Sequence, residues 1–505
     1  MTNTLYDALF APHAGKDTPF LHLPGGDTLS YSAFLDTAAR IAQVLTAGGL
    51  VPGDRLAAQV EKSPEALALY AACVQAGIVF LPLNTGYTKD ELEYFISNSG
   101  ARLLVCDPAD ADHLKPLARA HHAMLHTLGP DGQGSLMPAA KEQSDSFETV
   151  ARTPDDLAAF LYTSGTTGRS KGAMLTHENL LSNARTLEDL WRFTQEDVLL
   201  HALPIFHTHG LFVATNTALV AGASMIFLPK FETGAMINRL KEATVMMGVP
   251  TFYTRLLGDP GLTRELTAGM RLFISGSAPL LAETHTRFEE RTGHRILERY
   301  GMTETNMNSS NPYDGERRPG TVGFALPGVE IRIIDPDTDK PLPAGEVGQI
   351  EVRGPNVFKG YWQMPEKTAA ELREDGFFIT GDLGSFDADG YLQIVGRGKD
   401  LIISGGYNIY PKEIEVLLDA QPGVLESAVI GVPHPDFGET PVALVVPRDG
   451  AEPDTDALAE AVGTSLARYK HPRLIKLIDE LPRNTMGKVQ KNVLRDAYSG
   501  LFSPG

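Results

Sequence analysis

A chain of 505 residues exceeds what one compact core holds, so two or more domains are expected. Its 43% hydrophobic and 21% charged content is that of a soluble globular protein and excludes a disordered or fibrous one. A formal net charge of -19 argues against broad binding to nucleic acid or an anionic membrane, and an anionic ligand must be met by local positive charge. The start, Met1-Thr2-Asn3-Thr4-Leu5-Tyr6-Asp7, lacks the basic residues and apolar core of a signal peptide, so a cytoplasmic location is expected. Residues 55–60 read as a strand. Residues 64–76 have helical spacing that ends near Gly77. The apolar stretch 66–83 is broken by Gln75, Gly77 and Pro82, which gives a helix and a strand and no membrane span. Residues 102–106 form another expected strand. Cys73 and Cys106 lie in apolar surroundings, as buried thiols of a reducing compartment. The stretch 131–145 is polar and mixed, and reads as a loop.

Residues 157–161 read as a buried strand. It leads into Tyr162-Thr163-Ser164-Gly165-Thr166-Thr167-Gly168-Arg169-Ser170-Lys171-Gly172, the most telling run of the chain. Glycine permits close approach and unusual φ/ψ, while backbone N–H groups and hydroxyls supply donors, so this backbone can close around phosphate oxygens. It is not a Walker A loop, because Lys171 follows Ser170 and precedes Gly172. Taken alone it also fits an exposed turn. Ser275-Gly276-Ser277-Ala278-Pro279 follows an expected strand at 271–274. Its small residues let an aromatic ring lie flat on backbone, and they equally suit a plain strand-to-helix turn. Arg299-Tyr300-Gly301-Met302-Thr303-Glu304-Thr305 follows an expected strand at 294–297. Tyr300 can stack on a base, Thr303 can bond phosphate and Glu304 can hold Mg2+ with phosphate oxygens. A polar loop capping a helix through Thr303 fits as well.

Beyond Gly320, alternating strands at 329–334 and 349–353 and a hairpin turn at Asp387-Ala388-Asp389-Gly390 suggest a small antiparallel subdomain. Asp382 can accept ribose hydroxyls and Arg397 lies near the next boundary, although either also suits a surface ion pair. The glycine-flanked Gly396-Arg397-Gly398-Lys399-Asp400 reads as a hinge. After it come a helix at 411–420, strands at 427–432 and 442–446, and a helix at 456–468. Lys488 stands in the turn-like Pro482-Arg483-Asn484-Thr485-Met486-Gly487-Lys488-Val489. The expected fold is α/β: a large N-terminal domain, 1–396, of parallel-rich sheets with flanking helices plus a small β-subdomain, and a mobile α+β C-terminal domain, 397–505.

These segments, in this order, resemble the signatures of the adenylate-forming superfamily, which holds acyl-CoA synthetases, luciferases and peptide-synthetase adenylation domains. The resemblance spans essentially the whole chain. It implies ATP and coenzyme A as co-substrates and Mg2+ as cofactor. It implies that Thr163, Ser164, Gly165, Thr166, Thr167, Gly168 and Lys171 wrap the ATP phosphates. Ser277, Ala278, Pro279, Glu298, Arg299, Tyr300, Gly301, Met302 and Thr303 would line the nucleotide site. Glu304 would bind Mg2+ and share catalysis with Thr303 and Lys488. Asp382 and Arg397 would hold the ribose. Lys399 matches the family hinge, Ser404, Gly405 and Gly406 the pantetheine tunnel, and Lys488 the catalytic lysine, which also meets ATP. Turning the C-terminal domain about Lys399 would exchange Lys488 for Gly405 and Gly406. Acetylation would remove the Lys488 charge, so a lysine acetyltransferase and deacetylase are candidate partners.

The acid is suggested by a departure from the family pattern. Family members commonly carry a small residue before the Tyr-Gly pair, and this chain carries Arg299. A guanidinium beside an acyl pocket is poor company for a fatty or aromatic tail and suits a second carboxylate. His207 matches an acyl-pocket position, Ser277 narrows the site and adds a hydroxyl, and Met307 suits an apolar wall. The pattern is similar to malonyl-CoA synthetases, so malonate is the expected acid, with methylmalonate if Met307 leaves room. The alternatives are Arg299 turned outward to Glu298 or Glu304; oxalate, succinate or an aromatic acid; a module that loads a carrier protein; and a non-enzymatic nucleotide sensor.

Overall fold

Ser63 and Gly77 fix both ends of helix Pro64–Ala76. The Ser63 hydroxyl accepts from the Ala66 N–H at 3.0 Å, Pro64 occupies the first turn, and Gly77 closes the helix at φ 70°. Strand Val79–Pro82 follows at once, and no helix among the described residues is long and apolar enough to cross a membrane. The computed structural model describes residues 2–163, 170–404, 407–434, 437–466, 468–484 and 487–502. The chain divides into two compact units. One is Met1–Pro319 with Gly323–Ile331 and Val352–Phe378. The other is Gly320–Val322 with Arg332–Glu351 and Ile379–Gly505.

The first unit is built on two parallel-rich sheets. A six-stranded sheet runs in the order Met124–Thr127, Leu103–Cys106, Arg55–Gln59, Val79–Pro82, Leu157–Thr163, Lys171–Thr176. Its pairs are parallel except the last, which is a hairpin. A nine-stranded sheet runs Phe324–Ala325, Asn306–Ser310, Leu297–Met302, Leu272–Ser275, Val245–Gly248, Val198–His201, Ser224–Phe227, Pro19–His22, Thr28–Ser30. Its middle is parallel and both margins are antiparallel. Helices bury an apolar face on each sheet. Leu92, Phe95, Ile96, Leu114 and Leu117 cover the first, and Met236, Tyr253, Leu256 and Phe288 cover the second. The parallel strands of each sheet thus end together, along the margin where such folds carry their ligands.

A four-stranded sheet orders Glu330–Ile334, Gly348–Arg353, Phe378–Phe386 and Leu392–Arg397. The Asp387–Gly390 turn joins its last two strands, with the Asp387 N–H bonded to the Tyr391 carbonyl at 2.9 Å. In the second unit the long pair Val424–His434 and Gly438–Pro447 centres a further sheet, covered by helices Pro411–Asp419 and Thr455–Ser465.

Two expectations need correction. The stretch 131–145 holds a helix, Leu136–Lys141, whose Leu136 and Ala140 are buried. Two apolar anchors four residues apart suffice for one turn against helix Tyr31–Ala47, and the polar majority around them hides that signal. The expected strand at 294–297 instead begins at Leu297 and runs to Met302, so the Arg299–Met302 segment is strand and not loop. Its antiparallel partner Asn306–Ser310 supplies the ladder, and tertiary pairing overrides its glycine-containing composition.

Candidate active site

Thr163 and Lys171, which flank the hydroxyl-rich run, lie opposite each other on the paired strands Leu157–Thr163 and Lys171–Thr176. Ser164, Gly165, Thr166, Thr167 and Gly168 lie outside the described residues. Gly172 has no room for a side chain, since a Cβ there would lie 2.2 Å from the Phe160 ring. The open edge of Lys171–Thr176 is covered by 359–362. Trp362 N–H bonds the Gly172 carbonyl at 2.8 Å, and Met174 N–H bonds the Gly360 carbonyl at 3.0 Å. That docking puts Tyr361 under Lys171, whose ammonium lies 4.1 Å from the ring centroid and donates to the phenol oxygen at 3.0 Å. Lys171 also reaches the Glu371 carboxylate at 3.2 Å.

Thr303, Glu304 and Thr305 form the tip of the hairpin between Leu297–Met302 and Asn306–Ser310. Gly301 allows this close pairing, because a Cβ there would meet the Asn306 carbonyl at 1.9 Å. The tip is pinned from outside. Phe358 N–H bonds the Glu304 carbonyl at 2.8 Å and the Asn356 amide bonds the Thr305 carbonyl at 2.6 Å. Glu304 is 5% exposed and its Oε1 accepts from the Tyr361 phenol at 3.0 Å. Among the described residues no group of three or more His, Cys, Asp or Glu is placed to hold a metal. One buried carboxylate suits Mg2+, which binds through one or two carboxylates and completes its shell with phosphate oxygens and water.

Arg299 is the most unusual side chain of the site. It is 3% exposed, and its Nε and Nη2 have no hydrogen-bond partner among the described residues. The neighbouring carboxylates are engaged elsewhere: Glu298 lies 3.4 Å from His285 Nδ1 and Glu304 faces Tyr361. Alternation along the strand turns Glu298 and Arg299 to opposite faces. Burial pulls the guanidinium pKa down to about 9, opposed by Tyr253. Gly276 gives it space, since a Cβ there would lie 2.5 Å from the guanidinium carbon. Next to Gly276, Ser277 takes a left-handed φ of 71°, a strain of about 1–2 kcal/mol for a residue with a Cβ. Its hydroxyl lies 3.2 Å from His209 Nδ1. Burial first, then Arg299, His207 and His201, hold His209 well below the usual imidazole pKa. The ring is therefore neutral, and its Nε2 is likewise unpartnered among the described residues. His207 is half-buried and its Nδ1 accepts from the His209 N–H at 3.4 Å. Met307 is buried, and its methyl would lie 2.4 Å from a Cβ placed on Gly301. Ala278 is half-buried and Pro279 exposed, on the turn from strand Leu272–Ser275 to helix Ala282–Thr292. Tyr300, Gly301, Met302 and Thr303 are half-buried.

In the second unit Asp382 and Arg397 sit opposite each other on paired strands, with Arg397 Nε 2.7 Å from Asp382 Oδ1. Arg397 also donates to the Thr380 carbonyl at 3.2 Å. Lys399 begins no regular strand. Burial, opposed by Asp400, pulls its ammonium below the usual lysine pKa. Asp400 is held by Arg495 at 2.8 Å. Ser404 ends strand Ile402–Ser404, and Gly405 and Gly406 lie outside the described residues. Lys488 is exposed next to the Arg483–Val489 bridge, and its N–H bonds Asn484 Oδ1 at 2.9 Å.

His209, Tyr361 and Glu371 join the site without belonging to any of its sequence motifs. His209 had a visible signal, a second imidazole two residues after His207. Tyr361 and Glu371 had none, because they meet Lys171 across 190 and 200 positions.

A paired-sheet unit with a hydroxyl-rich hairpin and a carboxylate at the ligand margin is the architecture of an adenylate-forming protein, and the chain belongs to the AMP-binding enzyme family. Residues 11–362 match the AMP-binding enzyme, and residues 413–488 match its C-terminal domain. The chain is 59% identical to MatB from Rhodopseudomonas palustris in its ATP-bound crystal structure, with a TM-score of 0.98 over 100% of both chains. It is 36% identical to the malonate–CoA ligase of Arabidopsis thaliana, over 93% of this chain and 84% of that one. It is 37% identical to a feruloyl-CoA synthase of Amycolatopsis sp, over 97% of each.

Proposed function

We propose that this chain is an AMP-forming malonate–CoA ligase. Malonate attacks the α-phosphate of ATP, pyrophosphate leaves, and the thiol of coenzyme A then displaces AMP to give malonyl-CoA. The carrying observation is Arg299, a buried guanidinium whose Nε and Nη2 have no partner among the described residues, beside a neutral His209. A dicarboxylate presents one carboxylate for adenylation and a second for Arg299, which turns an uncompensated buried charge into a paired one. A feruloyl or fatty tail leaves that charge orphaned, so Arg299 weighs against the aromatic relatives. Methylmalonate is a second substrate to the extent that Met307 yields.

Two anionic reactants must meet, so rate comes from positioning and positive charge. Lys171 and residues 163–168 hold the phosphates, Asp382 and Arg397 the ribose, and residues 277–279 with 299–303 the nucleotide. Glu304 would hold Mg2+, which would supply positive charge beside the ATP phosphates. Lys488 supplies a mobile point cation to the carboxylate and the α-phosphate. Residues 397–505 turn about Lys399 between the half-reactions, bringing residues 404–406 to the pantetheine. Acetylation of the exposed Lys488 would switch adenylation off and leave thioester formation from malonyl-AMP intact. The buried thiols Cys73 and Cys106 suit the cytoplasm.

The test is pyrophosphate release across malonate, methylmalonate, oxalate, succinate, acetate, hexanoate and ferulate. Malonate should be used best. Equal use of acetate or hexanoate would refute the assignment.

A further inference from the structure

Three side chains, Lys171, Glu304 and Glu371, meet around one phenol. The Tyr361 oxygen lies 3.0 Å from Glu304 Oε1 and 2.7 Å from Glu371 Oε2, and it accepts from Lys171 at 3.0 Å. Lys171 and Lys367 reach Glu371 at 3.2 and 2.6 Å. Glu304 has no lysine or arginine at ion-pair distance among the described residues, and Tyr361 is the one side chain that bonds its carboxylate there.

The phenol has one proton and an ionised carboxylate only accepts, so Tyr361 serves one of its two carboxylates at a time. Burial raises Glu371, but Lys367, Tyr361 and Lys171 more than offset it and hold it ionised. The ring does not wander. Tyr361 is 3% exposed, its N–H bonds the Thr368 hydroxyl at 2.9 Å, it bridges to Ala173 on the phosphate-loop hairpin, and Phe358 packs edge-on at 4.8 Å. The same short segment bonds the Glu304 backbone through Phe358. Residues 358–361 thus tie the carboxylate and the end of the phosphate loop to one another.

We propose that Tyr361 and Glu371 are positioning residues for Glu304. With the site empty the phenol O–H serves Glu304, which would otherwise be a buried carboxylate without a donor. The same O–H fixes Glu304 Oε1, so that Oε2 is the oxygen that would meet Mg2+. Lys171 bonds the same phenol and the same Glu371, so occupation of the phosphate loop and readiness of Glu304 are set by one group. This rests on the reading that Glu304 meets Mg2+.

Calorimetric titration of ATP at a series of Mg2+ concentrations tests it, with native protein and the Tyr361→Phe, Glu371→Gln and Glu304→Gln variants. Tyr361→Phe should raise the Mg2+ needed for half-maximal ATP binding about tenfold, the loss expected when a partner behind a metal ligand is removed. Saturating Mg2+ should restore its ATP affinity. Glu371→Gln, which keeps the ring and its packing, should shift the Mg2+ requirement in the same direction by less. A native Mg2+ dependence in Tyr361→Phe, or an ATP affinity that stays weak at saturating Mg2+, overturns the proposal. If Glu304→Gln itself keeps the native Mg2+ dependence, the Glu304 reading fails and this inference with it. If Glu304→Gln shifts and Tyr361→Phe does not, only the positioning role fails.

Discussion

Arg271 and Arg299 lie on either side of the parallel pairing between two neighbouring strands of the nine-stranded sheet, and they are treated in opposite ways. Arg271 directly precedes strand Leu272–Ser275, and Asp197 directly precedes Val198–His201. At that end the guanidinium forks onto Asp197 with both contacts at 2.7 Å and bonds the Trp191 carbonyl at 3.0 Å. Asp197 is completed by the Thr244 hydroxyl at 2.7 Å and the Thr194 N–H at 2.9 Å. Burial lowers the Arg271 pKa, but Asp197 more than makes up for it and the net shift is upward. Arg299 lies where the parallel strands finish, with Glu298 paired to Ser275, and it is left with burial and no acid among the described residues. A fold satisfies the charges it needs for stability. One that it buries and leaves open, at the ligand margin, is reserved for something that arrives later.

The largest expected contrast comes from replacing each arginine by methionine. Arg299→Met should cut malonate-dependent pyrophosphate release by roughly two to three orders of magnitude, since truncating one side of a buried charge pair costs about 2–5 kcal/mol. It should leave stability to denaturant unchanged or raise it by about 1 kcal/mol, because an unpaired buried charge is removed. Arg271→Met should do the reverse, losing about 3 kcal/mol of stability as Asp197 is orphaned. Denaturant melts and pyrophosphate assays on both variants read the two axes separately. If Arg299→Met is the more destabilised, the comparison is wrong.

A smaller effect is expected at Gly276, where a methyl would press on the guanidinium at 2.5 Å. Gly276→Ala should lower kcat/KM for malonate by about a hundredfold, the scale of a 1 Å misplacement. The native fold should persist by circular dichroism. A variant with native kinetics would show that the guanidinium position does not matter.

The smallest effect is on pH. In the free enzyme Arg299 is charged below its pKa of about 9 and neutral above it, so malonate kcat/KM should fall as pH rises through about 9. The slope should approach roughly tenfold per pH unit. Unfolded chain keeps this arginine protonated to higher pH than the fold does, so across that window Arg299 makes folding stability rise. Activity and stability therefore move in opposite senses, which separates this effect from alkaline unfolding. A flat profile from pH 8 to 10 would contradict it.

Arg299 and the phosphate-loop hairpin were legible in the chain because local chemistry marks them. A guanidinium inside a ligand motif and a glycine- and hydroxyl-rich run after a strand are visible without any contact. Helix Pro64–Ala76 was legible for the same reason, since Ser63 and Gly77 mark its ends. What stayed hidden depends on distant partners. The Arg299–Met302 segment becomes strand only because Asn306–Ser310 pairs with it, and helix Leu136–Lys141 exists only because helix Tyr31–Ala47 receives its two apolar side chains. Tyr361 and Glu371 come to Lys171 through the backbone docking of residues 359–362 on the hairpin edge, which leaves no periodic trace.

The most direct test uses malonate and its half-amide malonamate, which match in shape and differ by one charge. The native enzyme should favour malonate in kcat/KM by about two orders of magnitude, the scale of a lost buried charge pair, and Arg299→Met should erase that preference. Equal use of the two acids by the native enzyme, or a preference that survives in Arg299→Met, would mean that Arg299 does not hold the second carboxylate.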